Sequence, residues 1–115
     1  MTIRELIVKL ELSLKNSGCV EGVISGCYVS DMLSDVLANG KEGNIWITRQ
    51  THPNVVAVAA IRGLAGIIVP GGKQVEAETL EKAESECIPI MSTPLQTCEM
   101  AGTVYNLLTK DGQRQ

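Results

Sequence analysis

Between Gly43 and Ala101 the chain three times writes an apolar run, a knot of Gly, Pro, Ser or Thr, and then a helical pattern. The runs are Ile45-Trp46-Ile47-Thr48, Gly66-Ile67-Ile68-Val69-Pro70-Gly71-Gly72, and Ile88-Pro89-Ile90-Met91-Ser92-Thr93. This rhythm predicts βαβ units, and hence a three-layer α/β domain with a mainly parallel sheet. Open parallel sheets bind ligands at the carboxyl ends of their strands, so the polar knots are the places to look for function.

The N-terminal part extends the pattern. Thr2 and Glu5 form a capping box for a helix whose Ile3, Leu6, Ile7 and Leu10 share a face. From Leu10 the period changes to two, with Leu10, Leu12 and Leu14 alternating against Glu11, Ser13 and Lys15. That alternation predicts a short strand closed by Asn16-Ser17-Gly18, the alternative being a single helix through Leu14. A second strand is expected over 19–25, with Gly22 marking a bulge or close backbone approach and Gly26 its end. Ser30 is expected to cap the next helix, with Asp31 in its first turn and Met32, Leu33, Val36 and Leu37 as its buried stripe. Gly40 would supply a left-handed stop.

The strand at 45–48 leads into the densest polar knot, Arg49-Gln50-Thr51-His52-Pro53-Asn54. Val55 to Ile61 is apolar on every face, yet a helix is required here to cross between parallel strands. Such a helix needs cover on both sides; the sheet is one, and a second copy of the protein is the expected other, giving a homodimer. Gly63 ends it, and 66–70 is the next strand. Helix 74–86 has an outer, solvated face rich in Glu, with Val75, Leu80 and Ala83 turned inward. In the last unit Ile88 to Ser92 is a strand, Thr93 a cap, Pro94 the first helical residue and Gln96 the closing member of a capping box. That helix runs to about Leu108, and 109–115 reads as a frayed tail on a single domain of 1–115, with 1–18 as its N-terminal helix and short strand.

Composition narrows the function classes. The chain has 115 residues, the size of one domain, with 44% hydrophobic and 20% charged residues, a globular balance. Its net charge is -3 and its Lys and Arg are dispersed, so the electrostatic footprint of a nucleic-acid binder is missing. Neither a signal-peptide pattern nor an apolar run long enough for a bilayer is present, which gives an expected cytoplasmic location without membrane contact.

Four cysteines, Cys19, Cys27, Cys87 and Cys98, contain no CxxC pair. The predicted register puts Cys19 and Cys87 near the amino ends of strands and Cys27 and Cys98 beyond the carboxyl ends, roughly 20 Å away. The expectation is therefore reduced, mostly buried thiols rather than a disulfide framework or a zinc site. Cys98 is the one to watch, because it stands near a predicted helix start.

Named motifs fail one by one. Gly71-Gly72-Lys73 lacks the first glycine of a phosphate loop, because Ile67 stands there, and Gln74 replaces the magnesium-binding hydroxyl. GxGxxG, GxSxG and HExxH are absent. The one histidine, His52, has no evident partner for acid–base work; it is read as a helix cap or ligand contact, with catalysis as the alternative. Neither a cofactor nor a metal is called for. What the knots share is donors for an anion: N–H groups after Gly72 and Thr93, with Ser30, Arg49, Thr51 and Ser92 beside them. The alternative for Gly71-Gly72 is a tight βα turn.

These residues carry a family resemblance over nearly the whole chain. Tyr28 to Leu37, Gly43 to His52, Val69-Pro70-Gly71-Gly72 and Ile88 to Pro94 resemble the DRTGG domain, in particular its small stand-alone clostridial-type members. Arg49-Gln50-Thr51-His52 stands where the family name has Asp-Arg, and Pro70-Gly71-Gly72 where it has Thr-Gly-Gly. Related domains precede the kinase in HPr kinase/phosphorylase, occur in long phosphotransacetylases, and sit between CBS domains in regulatory pyrophosphatases as dimeric nucleotide-sensing modules. The resemblance implies a non-catalytic regulatory module that binds a small anionic metabolite, such as an adenine nucleotide, through Ser30, Asp31, Arg49, Gln50, Thr51, His52, Asn54, Gly71, Gly72, Ser92 and Thr93. It also implies an accessory role beside hydrogenase in anaerobic redox metabolism. Two rivals remain: a subunit that docks on a partner enzyme without a small ligand, and a small enzyme using His52 or Cys98.

Overall fold

Ten elements follow one another in the computed structural model, which describes residues 1–16 and 19–110. They are α1 (Ile3–Leu10), β1 (Ser13–Leu14), β2 (Gly26–Val29), α2 (Leu33–Asn39), β3 (Asn44–Ile47), α3 (Asn54–Arg62), β4 (Gly66–Val69), α4 (Ala77–Glu86), β5 (Ile90–Ser92) and α5 (Thr97–Leu108). One five-stranded sheet has the order β1-β5-β4-β3-β2. Strands β2 to β5 are parallel, and β1 runs antiparallel to β5 with Ser13 opposite Ser92. The α/β class with a mainly parallel sheet is therefore as the periodicity predicts.

Because β2, β3, β4 and β5 are laid down in order, successive right-handed crossovers place their helices on one face. Val36 of α2, Val55, Val56 and Ala59 of α3 and Ala83 of α4 accordingly join a single core cluster. A second cluster fills the opposite face, where Ile3 and Leu6 of α1 meet Met100, Val104 and Leu108 of α5. The pleat divides each central strand between the two: Trp46, Ile67, Val69 and Ile90 point to the first, Ile45, Ile47, Ile68 and Met91 to the second. Trp46 is fully buried, and its indole N–H donates to the Ser30 carbonyl at 2.8 Å, so the ring brings no unsatisfied donor into the core.

Several sequence expectations need correction. Residues 19–25 form no strand; only Val23 makes an isolated bridge, to Thr2. Their carbonyls serve the start of α1 instead, Val20 accepting from the Arg4 N–H at 2.8 Å and Gly22 from that of Ile3 at 3.0 Å, which satisfies donors that a helix start leaves open. The strand begins at Gly26, the predicted terminator, which is a point of close approach: a Cβ there would lie 3.2 Å from Asn44 Nδ2. Leu10 to Leu14 yields a strand of only two residues, prolonged by Asn16, whose side chain bonds the Ile88 carbonyl and the Ile90 N–H like a backbone. Ser17 and Gly18, the rest of the predicted stop, lie outside the described residues, as do 111–115 of the predicted tail.

Helix α2 starts at Leu33, so Asp31 is not in its first turn, and Ser30 accepts the Met32 N–H in a turn ahead of it. Of its expected apolar stripe only Val36 is buried; Met32 is 64% exposed. Gly40 is extended rather than left-handed, and is glycine because a Cβ would stand 2.8 Å from the Val36 carbonyl oxygen. Helix α5 starts at Thr97, three residues later than predicted, with Gln96 and Glu99 forming the capping box while Thr93 accepts from the Leu95 N–H. The reason given for a second copy over α3 also fails on this face. Helices α2 and α4 flank α3, the sheet lies beneath it, and only its outermost residues, such as Ala60 and Ile61, are exposed.

Candidate functional site

At the carboxyl ends of β2 and β3 the chain builds a polar hub around Asp31. Its Oδ1 accepts the Thr48 hydroxyl at 3.1 Å and the Arg49 N–H at 2.8 Å, and its Oδ2 accepts the Arg49 Nε–H at 3.0 Å. Gln50 closes the ring, donating its amide to the Asp31 carbonyl at 3.2 Å and its N–H to the Thr48 hydroxyl at 3.1 Å. Thr48 is fully buried, so its hydroxyl fixes the carboxylate against the end of the sheet. Partial burial pushes the Asp31 carboxyl up, but the Arg49 N–H, the guanidinium and the Thr48 hydroxyl outweigh that and hold it below the ordinary aspartate range.

Beside the hub, Tyr28 donates its phenol to Asp35 at 2.9 Å, and Asn39 donates to the same oxygen. Bonds from Asn39, Ser30 and Tyr28 hold Asp35 below its usual range, while bonding to that carboxylate pushes the Tyr28 phenol up.

The remaining predicted residues fall into separate groups. His52 accepts the Asn54 N–H on Nδ1 at 3.1 Å, at the start of α3, the helix-capping bond expected of it from the sequence. Thr51 donates to Glu76 at 3.5 Å and receives the Thr79 hydroxyl on its carbonyl at 2.6 Å, tying the loop after β3 to α4. Gly71 and Gly72 are both left-handed, at φ 78° and 67°, but their N–H groups are spent on the Leu95 and Thr93 carbonyls at 2.7 and 3.0 Å. The helix starts expected directly after Gly72 and Thr93 come later, α4 at Ala77 and α5 at Thr97. Ser92 is half-buried in β5, where its backbone pairs with Val69 and Ser13. Among the described residues no hydrogen bond joins the Asp31 hub to the Gly71–Thr93 group.

A donor survives at the hub. Arg49 has a side chain 64% exposed, and its terminal nitrogens make no hydrogen bond among the described residues. Its charge is largely balanced by Asp31, which leaves a directed fork rather than a strongly positive field.

A cleft of about 420 Å³ opens at the other end of the sheet, lined by residues just ahead of the strands, including Ser25, Gly43, Ala65 and Cys87. None of the residues nominated from sequence borders it. Its rim holds the largest surprise: Cys19 and Cys87 form a disulfide, with Cα atoms 5.3 Å apart, inside the span such bonds need. The expectation of reduced, mostly buried thiols is thus overturned for this pair, while Cys27 and Cys98 are free thiols. Both bonded cysteines are exposed, as is Cys98, and only Cys27 is partly buried, within β2 rather than beyond its end. Burial pushes the Cys27 thiol up to about 11. The sequence did place Cys19 and Cys87 at the same end of the sheet; the missing signal was that 19–25 folds across α1 instead of pairing as a strand. Thr48, Tyr28, Asp35 and Glu76 were likewise missed as site residues, because nothing in spacing marks which carboxylates a loop hydroxyl will meet.

Neither protein-family models nor curated protein sequences give a match to the chain. Among solved structures, the crystal structure of the CBS and DRTGG domains of the regulatory region of Clostridium perfringens pyrophosphatase, complexed with the activator diadenosine tetraphosphate, is similar. The TM-score is 0.65 at 18% identity, over 85% of this chain and 43% of that one. The chain therefore spans less than half the length of that relative, and the likeness supports a DRTGG-like fold.

Proposed function

We propose that the chain is a non-catalytic regulatory module that senses a small anionic metabolite, of the adenine-nucleotide class, at the carboxyl ends of its strands. The observation that carries this reading is the fold it shares with the regulatory region of a pyrophosphatase crystallised with a dinucleotide activator. Arg49 supports it: an exposed guanidinium, aimed by Asp31 and Thr48, suits a phosphate oxygen pair. Ser30, Gln50, Thr51, His52 and Asn54 belong to the same two loops and would contact the ligand, with Gly71, Gly72, Ser92 and Thr93 at the carboxyl ends of the adjoining β4 and β5, the two glycines having no free amide.

Thermal melts against a panel of nucleotides and phosphometabolites test the reading. A ligand at a hundred times its dissociation constant stabilises the fold by roughly 2.7 kcal/mol, and the shift should vanish in Arg49→Ala. A melt that no panel member moves would sink it.

A second reading has its own observation. Strand β2 is the sheet edge, and Val29 at its end and Met32 just beyond are 44% and 64% exposed, an apolar border suited to a protein partner. The chain would then dock on a partner enzyme, or on a second copy of itself. Sedimentation at micromolar concentration decides the latter, since a monomer there excludes the homodimer.

A further inference from the structure

We infer that the Cys19–Cys87 disulfide is a reversible redox clasp, which fastens the segment 19–25 across the amino ends of the strands and is opened by a dithiol reductant. Position comes first. Cys87 is the C-cap of α4, in the helical layer on one face of the sheet, whereas 19–25 is bound to the start of α1 in the layer on the other face. The bond therefore joins the two layers around the end of the sheet, closing a sequence separation of 68 residues.

Access comes next. Both cysteines are exposed, so a thiolate can reach either sulfur, and exposed disulfides are the labile ones. Cys87 is also a non-glycine residue held at φ 59°, a left-handed conformation that L-residues adopt at a cost.

The chemistry balances without another component. One thiolate of the reductant attacks a sulfur of the pair and forms a mixed disulfide; its second thiol displaces the remaining cysteine. Two electrons and two protons pass to the protein, giving two thiols, and the reductant leaves as its own disulfide.

Local opening, not unfolding, is the consequence. Both core clusters are built without either cysteine, and of 19–25 only Ile24 is buried. What else holds the segment is Ile24 in the core, with Ile3 and Arg4 N–H bonded to Gly22 and Val20, Ile24 N–H to the Met1 carbonyl and Arg4 Nε to Glu21 at 2.8 Å, and at its far end Ser25, whose N–H donates to the Gly43 carbonyl and whose hydroxyl donates to that of Glu42. Cys19, Gly22, Val23 and Ser25 form one wall of the 420 Å³ cleft, so the clasp sets the shape of that cleft.

The test is differential alkylation with peptide mapping, combined with amide hydrogen exchange, on the full chain in oxidised form and after dithiothreitol. Oxidised protein, denatured in alkylating reagent, should be labelled at Cys27 and Cys98 only. Dithiothreitol should open Cys19 and Cys87 in the folded protein, and oxidised dithiol should close them again. On reduction the amides of Ile3, Arg4 and Ile24 should exchange about tenfold faster or more, while those of β3 and β4 keep their rates. Cys19→Ser and Cys87→Ser should each reproduce the reduced pattern; if either fails to fold, reduced wild-type protein carries the test. Free Cys19 and Cys87 in the oxidised sample would overturn the clasp, as would a bond that yields only in denaturant. Unchanged exchange at Ile3, Arg4 and Ile24, or equal acceleration throughout the sheet, would do the same.

Discussion

Replacing Asp31 by alanine removes the acceptor on which the loop after β3 is hung. Three donors lose their partner: the buried Thr48 hydroxyl, the Arg49 N–H and the Arg49 Nε–H. At about 1 kcal/mol net for each bond the sum is near 3, but the ion pair is largely solvated, with side chains 64% and 39% exposed, and contributes little. We therefore expect a loss of about 2 kcal/mol, or about 8 °C in Tm for a domain of this size. Urea or thermal denaturation at neutral pH measures it.

The pH dependence supplies a second check on the same variant. The folded Asp31 carboxyl lies below its unfolded value, so the stability it adds is fully present above the ordinary aspartate pKa of about 3.9. That contribution disappears as pH falls through the lower folded value, and the gap between wild type and Asp31→Ala should narrow there. A loss under 0.5 kcal/mol (roughly the surface-substitution background) at neutral pH, or a gap that stays constant on acidification, would refute the hub.

Three further outcomes follow from single positions. Gly102→Ala, in the body of α5 with nothing within 4 Å of the new Cβ, should raise stability by about 0.5–1 kcal/mol, whereas Gly40→Ala drives a Cβ to 2.8 Å from a backbone oxygen and should lower it by more than about 1 kcal/mol; paired urea titrations decide both. At pH 8 a Cys27 thiol with a pKa of about 11 is ionised in roughly one molecule per thousand, so alkylation of native protein should be slow there at first, gain about tenfold per pH unit, and reach the ordinary rate on unfolding.

The central strands were legible because each is buried on both faces. A run such as Ile45-Trp46-Ile47 or Ile67-Ile68-Val69 needs only hydrophobicity and a bounding turn to be recognised, and the order of burial follows from the pleat. Helix α3 was legible for the same reason, since seven apolar residues between two parallel strands have one way to cross. The helices that flank it, α2 and α4, are invisible to a periodicity that considers one element at a time. The edge of the sheet was harder. Cys19 to Ser25 and Gly26 to Val29 are both short, half-exposed and interrupted by glycine, and what separates them is a tertiary fact: the first lends its carbonyls to α1, the second to the ladder with β3.

The site was legible as a place and not as a network, and the cause is the same. A polar knot at a strand end marks a loop that needs many hydrogen-bond partners; it does not say whether a ligand or the protein supplies them. Here the protein supplies most. Gly71 and Gly72 bind the loop before α5, His52 and Thr51 secure the ends of α3 and α4, and Asp31 takes three donors at once. Arg49 keeps donor capacity, because Asp31 uses Nε and leaves the terminal nitrogens. An internal carboxylate that occupied the whole fork would have closed the site. Engagement through Nε alone restrains the guanidinium without saturating it; on the proposed reading this would lower the entropy lost on binding an anion, and Arg49→Lys, with no fork to present, should lose the ligand-induced rise in Tm as Arg49→Ala does.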